Sequence, residues 1–289
     1  MTHSPWGRAL PLVILLPLLW PQAAPAFDGA CQASAAPSAT KVRDGTQNIL
    51  SVDLRALVAC LGDPDPALRD DVAYRALALF ASSSKASPDL LRGLLGDLMP
   101  IAEESDGNSL ARSFAILTLA ELVRRDARAA WMTERERARV VASAGSFMGS
   151  VDDYRGFDET TGWHHSVAHG ADLIATLASD PNVDADLLRR LLTPLASQVV
   201  PEEQVFYVHG EAERLAAAAV SLRRRGLISH PAWLVWLDTL QQKVLAIRKP
   251  GAMGLYLSRR HNLRLFKAEL LLSGRGWFAL DPDRVFQWD

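Results

Sequence analysis

The chain has 289 residues, with 31 Lys and Arg against 33 Asp and Glu, a formal net charge of −2. That balance gives no electrostatic capture of nucleic acid or of an anionic membrane. The length exceeds one typical domain, yet one elongated or repeat architecture holds it without a second core.

Residues 1–26 read as a secretory signal. Arg8 is the only charge, Ala9 to Leu19 is apolar, Ala24-Pro25-Ala26 supplies a small-residue cleavage triplet, and Phe27 becomes the mature start. The apolar run is shorter than the ~20 residues of a spanning helix and contains Pro11 and Pro17, so no stable membrane span is expected after cleavage. Cleavage removes Arg8 and no acid, which leaves 30 basic against 33 acidic residues, a charge of −3. The expected location is outside the cytoplasm, periplasmic or secreted.

Cys31 and Cys60 are the two cysteines. An oxidising compartment permits a disulfide between them, whereas the apolar setting of Cys60 in LRALVACL suits a buried thiol equally well. A bridge would pin the preceding segment onto the first helix. Residues 27–47 are small, polar and aperiodic, as in a flexible leader, and residues 48–289 are expected to form one helical repeat domain.

Alanine and leucine are abundant, β-branched residues are sparse, and no segment alternates with period two, so an all-α fold with almost no sheet is expected. Apolar spacing and Pro, Gly, Asp and Asn breaks predict ten helices, over 51–61, 66–82, 88–103, 109–125, 133–148, 162–179, 184–199, 210–225, 232–247 and 259–272. The run Val72-Ala73-Tyr74-Arg75-Ala76 recurs 95 positions later as Val167-Ala168-His169-Gly170-Ala171, two units of about 47 residues. DPDPALRDD, with Arg69, resembles the opening of a HEAT-type unit. These signs together predict an α-α superhelix of stacked helical hairpins, HEAT- or armadillo-like, with a curved surface for a partner. The clusters Arg223-Arg224-Arg225 and Arg259-Arg260 read as helix-end surface charges rather than a nucleic-acid patch.

In the expected repeat register Asp70, Arg112, His165 and His209 fall in one column, with Tyr74, Ile116, His169 and Glu213 one turn along. The centre of interest is Asp152 to Asp172, DDYRGFDETTGWHHSVAHGAD. On a helix from Gly162, His165, His169 and Asp172 stand at i, i+4 and i+7 on one face. Two readings compete for them. The first is a structural or partner-binding network, with Arg155, Trp163, His165, His169, Asp172 and His209 as the binding residues. The second is a site for a divalent metal such as zinc on His165, His169, His209 and Asp172. There Glu211 or Glu213 would act as general base to a metal-bound water. His164 is expected on the surface, and Gly170 is expected to permit close backbone approach. In the loop, Gly156 is expected to allow an unusual backbone angle, Trp163 to pack the helix start, and Arg155 to pair with Asp153, Asp158 or Glu159.

DYRGF and GWHHSVAHGAD, with LRDDVAYRALALF and RSFAILTLAEL upstream and RRHNLRLFKAEL downstream, resemble the bacterial family catalogued as domain of unknown function 2785. The resemblance spans roughly residues 50 to 272. It puts Arg155, Gly156, Gly162, Trp163, His165, Ala168, His169, Gly170, Ala171 and Asp172 at the family's motif positions. It implies an α-helical architecture and no established activity, and this chain differs from the usual members in its export signal.

No Gly-rich phosphate loop follows a strand, and neither a GxSxG elbow nor a CxxC pair is present. Trp233 and Trp236, at i and i+3, are expected in the core, and the tail 274–289 is expected to cap the last repeat. Function is therefore expected to be that of an exported binding or scaffold module for a protein, a peptide or a small polar ligand. The alternative is a metal-dependent hydrolase.

Overall fold

The computed structural model describes Cys31, residues 53–104 and residues 107–273. The predicted signal segment, the leader apart from Cys31, and the tail 274–289 lie outside the described residues. The described chain is overwhelmingly helical. In order the helices are α1 (Leu54–Ala59), α2 (Arg75–Ser82), α3 (Pro88–Glu103), α4 (Ser109–Arg128), α5 (Glu134–Gly149), α6 (Ser166–Ser179), α7 (Ala185–Arg189), α8 (Leu192–Val199), α9 (Glu211–Arg224), α10 (His230–Leu245) and α11 (Met253–Ser273). A 3₁₀ turn, Cys60–Gly62, ends α1, and a π-helical stretch, Ala67–Tyr74, leads directly into α2.

Six of these helices start where the sequence supplies a cap. The side chains of Asp53, Ser87, Asn108, Thr133, Asp184 and Ser229 accept hydrogen bonds from backbone amides of the first turn, and Thr133 with Glu136 completes a capping box. α6 and α9 begin differently, from left-handed residues without a side-chain cap: His165 at φ 50° and Gly210 at φ 88°.

The helices form two sets. α2, α4, α6, α9 and α11 pack one on the next in chain order, and α3, α5 and α8 do the same on the other side. α3 on α4, α5 on α6, α8 on α9 and α10 on α11 join the sets. The core between them is aliphatic, with Leu77, Leu98, Leu119, Val140, Ile174, Leu215 and Leu263 sealed from solvent. Trp233 is fully buried and stacks on Trp236 at 4.9 Å, as their spacing predicts. Among the described residues no helix is long and apolar enough to cross a membrane.

Cys31 and Cys60 are joined in a disulfide, with Cα atoms 5.0 Å apart. It fixes Cys31 to the turn after α1, both sulfurs lying in the core.

Three expected elements differ. The helix expected over 184–199 is two, α7 and α8, separated at Arg190 and Leu191. Pro194 explains the break, since it lacks an N–H and its ring crowds the carbonyl four residues back. α11 begins at Met253, six residues before the expected start. The helix expected from Gly162 begins at Ser166 instead, and residues before it form a short hairpin, β1 (Phe157–Asp158) with β2 (Gly162–Trp163), antiparallel with Phe157 opposite Trp163. Asp158 Oδ1 closes its turn by accepting from the amides of Thr160 and Thr161, both at 2.9 Å.

Candidate functional site

The hairpin is held by a buried arginine. Arg69, in the π-helical stretch, has no exposed surface. Its Nη2 donates to the carbonyls of Thr161 (2.8 Å) and Trp163 (3.3 Å), Nη1 to that of Asp63 (3.0 Å), and Nε to Asp70 Oδ1 (2.7 Å). Its guanidinium also lies over the Phe114 ring, 4.8 Å from the centroid. Every arm of the fork is used, and β2 is thereby placed over α4 and α6.

A second network closes the loop from the other side. Asp153 receives two hydrogen bonds from Arg155, at 2.9 and 2.7 Å, and one from Ser109 at 2.9 Å. His164 Nδ1 lies 3.3 Å from the same carboxylate, and His164 Nε2 is 2.8 Å from Thr161 Oγ1. Burial opposes the Asp153 charge, but the bonds from Arg155, His164 and Ser109 outweigh it and hold the carboxyl far below the usual range. His164 is thus a buried loop lock, 2% exposed, and not the surface residue expected. Arg155 is one arm of that lock. It makes the Asp153 pair named as one of three options and is not part of the cavity described below.

From Trp163 the chain turns through His165, whose positive φ is the only such value at a non-glycine among the described residues. A left-handed conformation costs a side-chain-bearing residue of order 1 kcal/mol and is retained where the surroundings enforce it. Here His165 N donates to Arg155 O (3.2 Å) and its carbonyl accepts from His169 N (2.8 Å), so the residue ends the hairpin and starts α6 at once. The imidazole lies flat on the Trp163 indole, 4.3 Å away and 15° from parallel. Trp163 is 41% exposed and borders the site instead of packing the helix start.

His165 and His169 remain neighbours, with ring centroids 6.0 Å apart. They share a cavity of about 390 Å³ with Tyr74, Leu117, Arg124, Asp172, His209, Glu213 and Arg214. α4, α6 and the start of α9 form its walls. Tyr74 and His169, the third residues of VAYRA and VAHGA, both make T-shaped contacts with the Phe114 ring, at 6.1 and 5.0 Å. The expected columns hold in part. Tyr74, His165, His169, His209 and Glu213 line one space. Ile116 is sealed in the core and its neighbour Leu117 faces the cavity. Arg112 is buried elsewhere, bonded to Ser150 Oγ at 2.8 Å, and Asp70 is taken by Arg69.

The chemistry of His169 follows from Ser113. Ser113 Oγ is 2.9 Å from the carbonyl of His164 and 2.8 Å from His169 Nδ1. A carbonyl only accepts, so the single hydroxyl proton goes to His164 and Nδ1 of His169 must donate to Oγ. His169 is therefore the Nδ1–H tautomer. Its Nε2 is a bare acceptor, with no hydrogen bond among the described residues. Burial lowers the His169 pKa to about 3, with the neighbouring His165 adding to the shift, and burial likewise lowers that of His165. His169 binds its proton more weakly folded than unfolded. The neutral ring's contribution is intact above the unfolded value near 6.5 and is lost as pH falls from there toward 3. We expect stability to drop by roughly 1 kcal/mol per pH unit from this residue across that window. Urea melts at stepped pH should show that slope reduced by about one proton in His169→Gln.

Around this acceptor Asp172, Arg214 and Arg124 are paired, while Glu213 makes no ion pair among the described residues. Asp172 meets Arg214 across α6 and α9, and Arg124 meets Glu121, which also accepts from Tyr74 Oη at 3.1 Å. The expected metal set of His165, His169, His209 and Asp172 does not assemble. Asp172 is committed to Arg214, and among the described residues no three His, Cys, Asp or Glu side chains are grouped to hold an ion. Glu211, one of the two expected bases, is buried and turned to the loop, where it accepts from His209 N at 2.9 Å and lies 3.8 Å from His209 Nδ1. Glu213, the other, does line the cavity. His209 packs on Gly156, where an added Cβ would fall 2.1 Å from the imidazole Nδ1. Gly156 is therefore required for close approach, not for the unusual backbone angle expected of it. Gly170 fulfils its expected role: a Cβ there would meet Met148 Sδ at 2.3 Å and Phe147 Cδ1 at 3.1 Å, where α6 crosses α5.

Residues 98–272 match the family described as Protein of unknown function (DUF2785), and the whole histidine segment falls within that span. The chain belongs to this family. The matched family region includes α4, α6 and α9, the three helices around the cavity, whereas LRDDVAYRALALF, which carries Arg69 and Tyr74, precedes it. No curated protein and no solved structure matches the chain.

Arg69, Ser113, Arg124 and Arg214 are the site residues that sequence reasoning missed. Ser113 lies within the quoted RSFAILTLAEL and Arg124 two residues after it, both on α4, and only the packing of α4 against α6 brings them to the site.

Proposed function

We propose that the protein is an exported, single-domain helical-repeat binding module, an α-α superhelix whose ligand site is the cavity between α4, α6 and α9. Support for the superhelix comes from the chain-order packing of α2, α4, α6, α9 and α11 and from the T-shaped contacts that Tyr74 and His169, the third residues of VAYRA and VAHGA, both make with Phe114. Support for export comes from the signal-like N-terminus and from the Cys31–Cys60 disulfide, a bond favoured in oxidising compartments.

One observation carries the binding role: the buried residue His169 lines a cavity of small-molecule size, beside formally balanced charges, with its Nε2 making no hydrogen bond among the described residues. Buried polar atoms are ordinarily satisfied, and one held open to a cavity is suited to a donor brought by a ligand. The ligand is a small polar molecule, or the polar end of a peptide or protein partner. A metal-dependent hydrolase lacks this support, because its proposed ligands do not converge.

Thermal melting of the mature chain, 27–289, against amino acids, sugars, nucleotides and short peptides tests the role. A true ligand at 100 times its Kd stabilises by about 3 kcal/mol and raises Tm measurably. The rise should vanish in His169→Phe, which keeps volume but removes Nε2. A panel that leaves wild type unmoved, or shifts both proteins alike, overturns the reading.

A further inference from the structure

We infer that the ligand is a neutral polyhydroxylated molecule of the saccharide class. The inference rests on the proposed binding role of the cavity and goes beyond it by naming the chemistry.

The first argument is charge. Arg124 and Arg214 face Asp172 and Glu213 across the cavity, so the formal charges of the lining balance. Asp172 and Arg214 are already paired with each other, and Arg124 with Glu121. An anionic ligand would gain a partner here only by drawing Arg124 or Arg214 out of its pair, which leaves a carboxylate uncompensated in a half-buried setting, whereas Glu213 makes no ion pair among the described residues and can accept from a hydroxyl. Hydroxyl groups do not face that cost. Each donates one proton and accepts on two lone pairs, and so bonds to a carboxylate, a guanidinium or both while the pairs stay closed.

The second argument is the acceptor. The His169 residue is more than nine-tenths buried and lines the cavity, its Nε2 takes a proton donor, and the low proton affinity of the ring keeps it an acceptor at neutral pH. An O–H group satisfies it without bringing a charge.

The third argument is the rim. Trp163 and Phe157 are large aromatics left exposed, 41% and 45%, and meet edge to face at 4.9 Å. Trp163 also touches His165 and His209, both of which line the cavity, so the aromatic surface continues into its mouth. An indole beside hydrogen-bonding groups offers an apolar platform for the C–H face of a sugar ring while the hydroxyls reach inward. The volume of about 390 Å³ falls in the ~300–1,000 Å³ range of small-molecule sites.

Saturation-transfer NMR on the mature protein distinguishes the outcomes, with glucose, galactose, mannose and N-acetylglucosamine as neutral probes and alanyl-alanine and inorganic phosphate as charged ones. Transfer to the ring C–H protons of at least one sugar is expected. Affinity should fall by about tenfold or more in Trp163→Ala, be largely kept in Trp163→Phe, and be lost in His169→Phe. Circular dichroism melts of each variant separate lost binding from lost fold, and the exposure of Trp163 makes its variants the ones that retain it. Binding of the dipeptide or phosphate, sensitive to His169→Phe, with no transfer to any sugar overturns the saccharide class and leaves the cavity role standing. Binding of no probe at the cavity overturns both.

Discussion

Arg69→Ala is expected to destabilise the protein by about 3–5 kcal/mol in urea unfolding, among the largest single-residue effects in the chain. The side chain has no exposed surface, so truncation leaves a cavity beneath Phe114. It also strips donors from the carbonyls of Asp63, Thr161 and Trp163 and leaves Asp70 without its cation. Each unsatisfied buried acceptor costs about 1–3 kcal/mol, so the sum exceeds any solvent-exposed ion pair in the molecule. The loss should be local before it is global. The amides of His164 and His165, which hold the hairpin to Gly156 and Arg155, should lose hydrogen-exchange protection under conditions where α4 and α6 keep theirs. Arg69→Lys should recover little, because an ammonium does not reproduce the fork that reaches three carbonyls. Unchanged stability, or loss of protection spread evenly over the fold, would contradict this assignment.

Asp126→Ala is expected to cost a comparable ~3–5 kcal/mol through a different mechanism. Asp126, at the end of α4, accepts from the amides of Trp131 (2.7 Å) and Met132 (2.8 Å) and from Arg137 of α5 through Nε (2.6 Å) and Nη2 (3.2 Å). It has no exposed surface, and the Arg137 side chain has only 10%. Removal leaves a buried guanidinium uncompensated and two amides unpaired at the turn that sets α5 against α4. Burial raises the carboxyl's pKa, but the Arg137 and backbone hydrogen bonds outweigh it, so Asp126 ionises more readily folded than unfolded. Its contribution is complete above the unfolded value of about 4 and disappears as pH falls through the depressed folded one. The difference in stability between wild type and Asp126→Ala should therefore shrink in acid below pH 4 and stay constant above pH 6. Asp126→Asn, whose Oδ1 can still accept from both amides, should lose less.

These two residues mark the limit of what the chain discloses by inspection. Helical content, most helix boundaries and the starts next to Ser87, Asn108 and Thr133 follow from local periodicity and cap chemistry, because both act within a few residues. The place of Gly170 was legible for the same reason: a glycine within an apolar stripe marks close approach. Arg69, Arg112, Asp126, Arg137 and His164 were not legible as buried. A polar residue breaks an apolar stripe whether it faces solvent or a partner on another helix, and only the fold supplies that partner. The start of α6 was missed because Gly162 and His165 adopt positive φ, which periodicity does not register. His165, His169, His209, Glu213 and Asp172 were rightly drawn toward one region. Their convergence on an ion failed because Arg214, one turn into α9, takes the Asp172 carboxylate.

The proposed site depends on His169 presenting a neutral, proton-accepting Nε2 to the cavity, and imidazole ¹⁵N chemical shifts read that property directly. Long-range ¹H–¹⁵N spectra of the folded protein should show His169 with a protonated Nδ1 and an unprotonated Nε2, unchanged from pH 7 down to pH 5. In Ser113→Ala the Nδ1 proton should lose its fixed partner and the tautomer preference should weaken. A His169 ring that carries its proton on Nε2 at pH 7, or takes up a second proton above pH 6, would contradict the acceptor, and with it the binding site built around it.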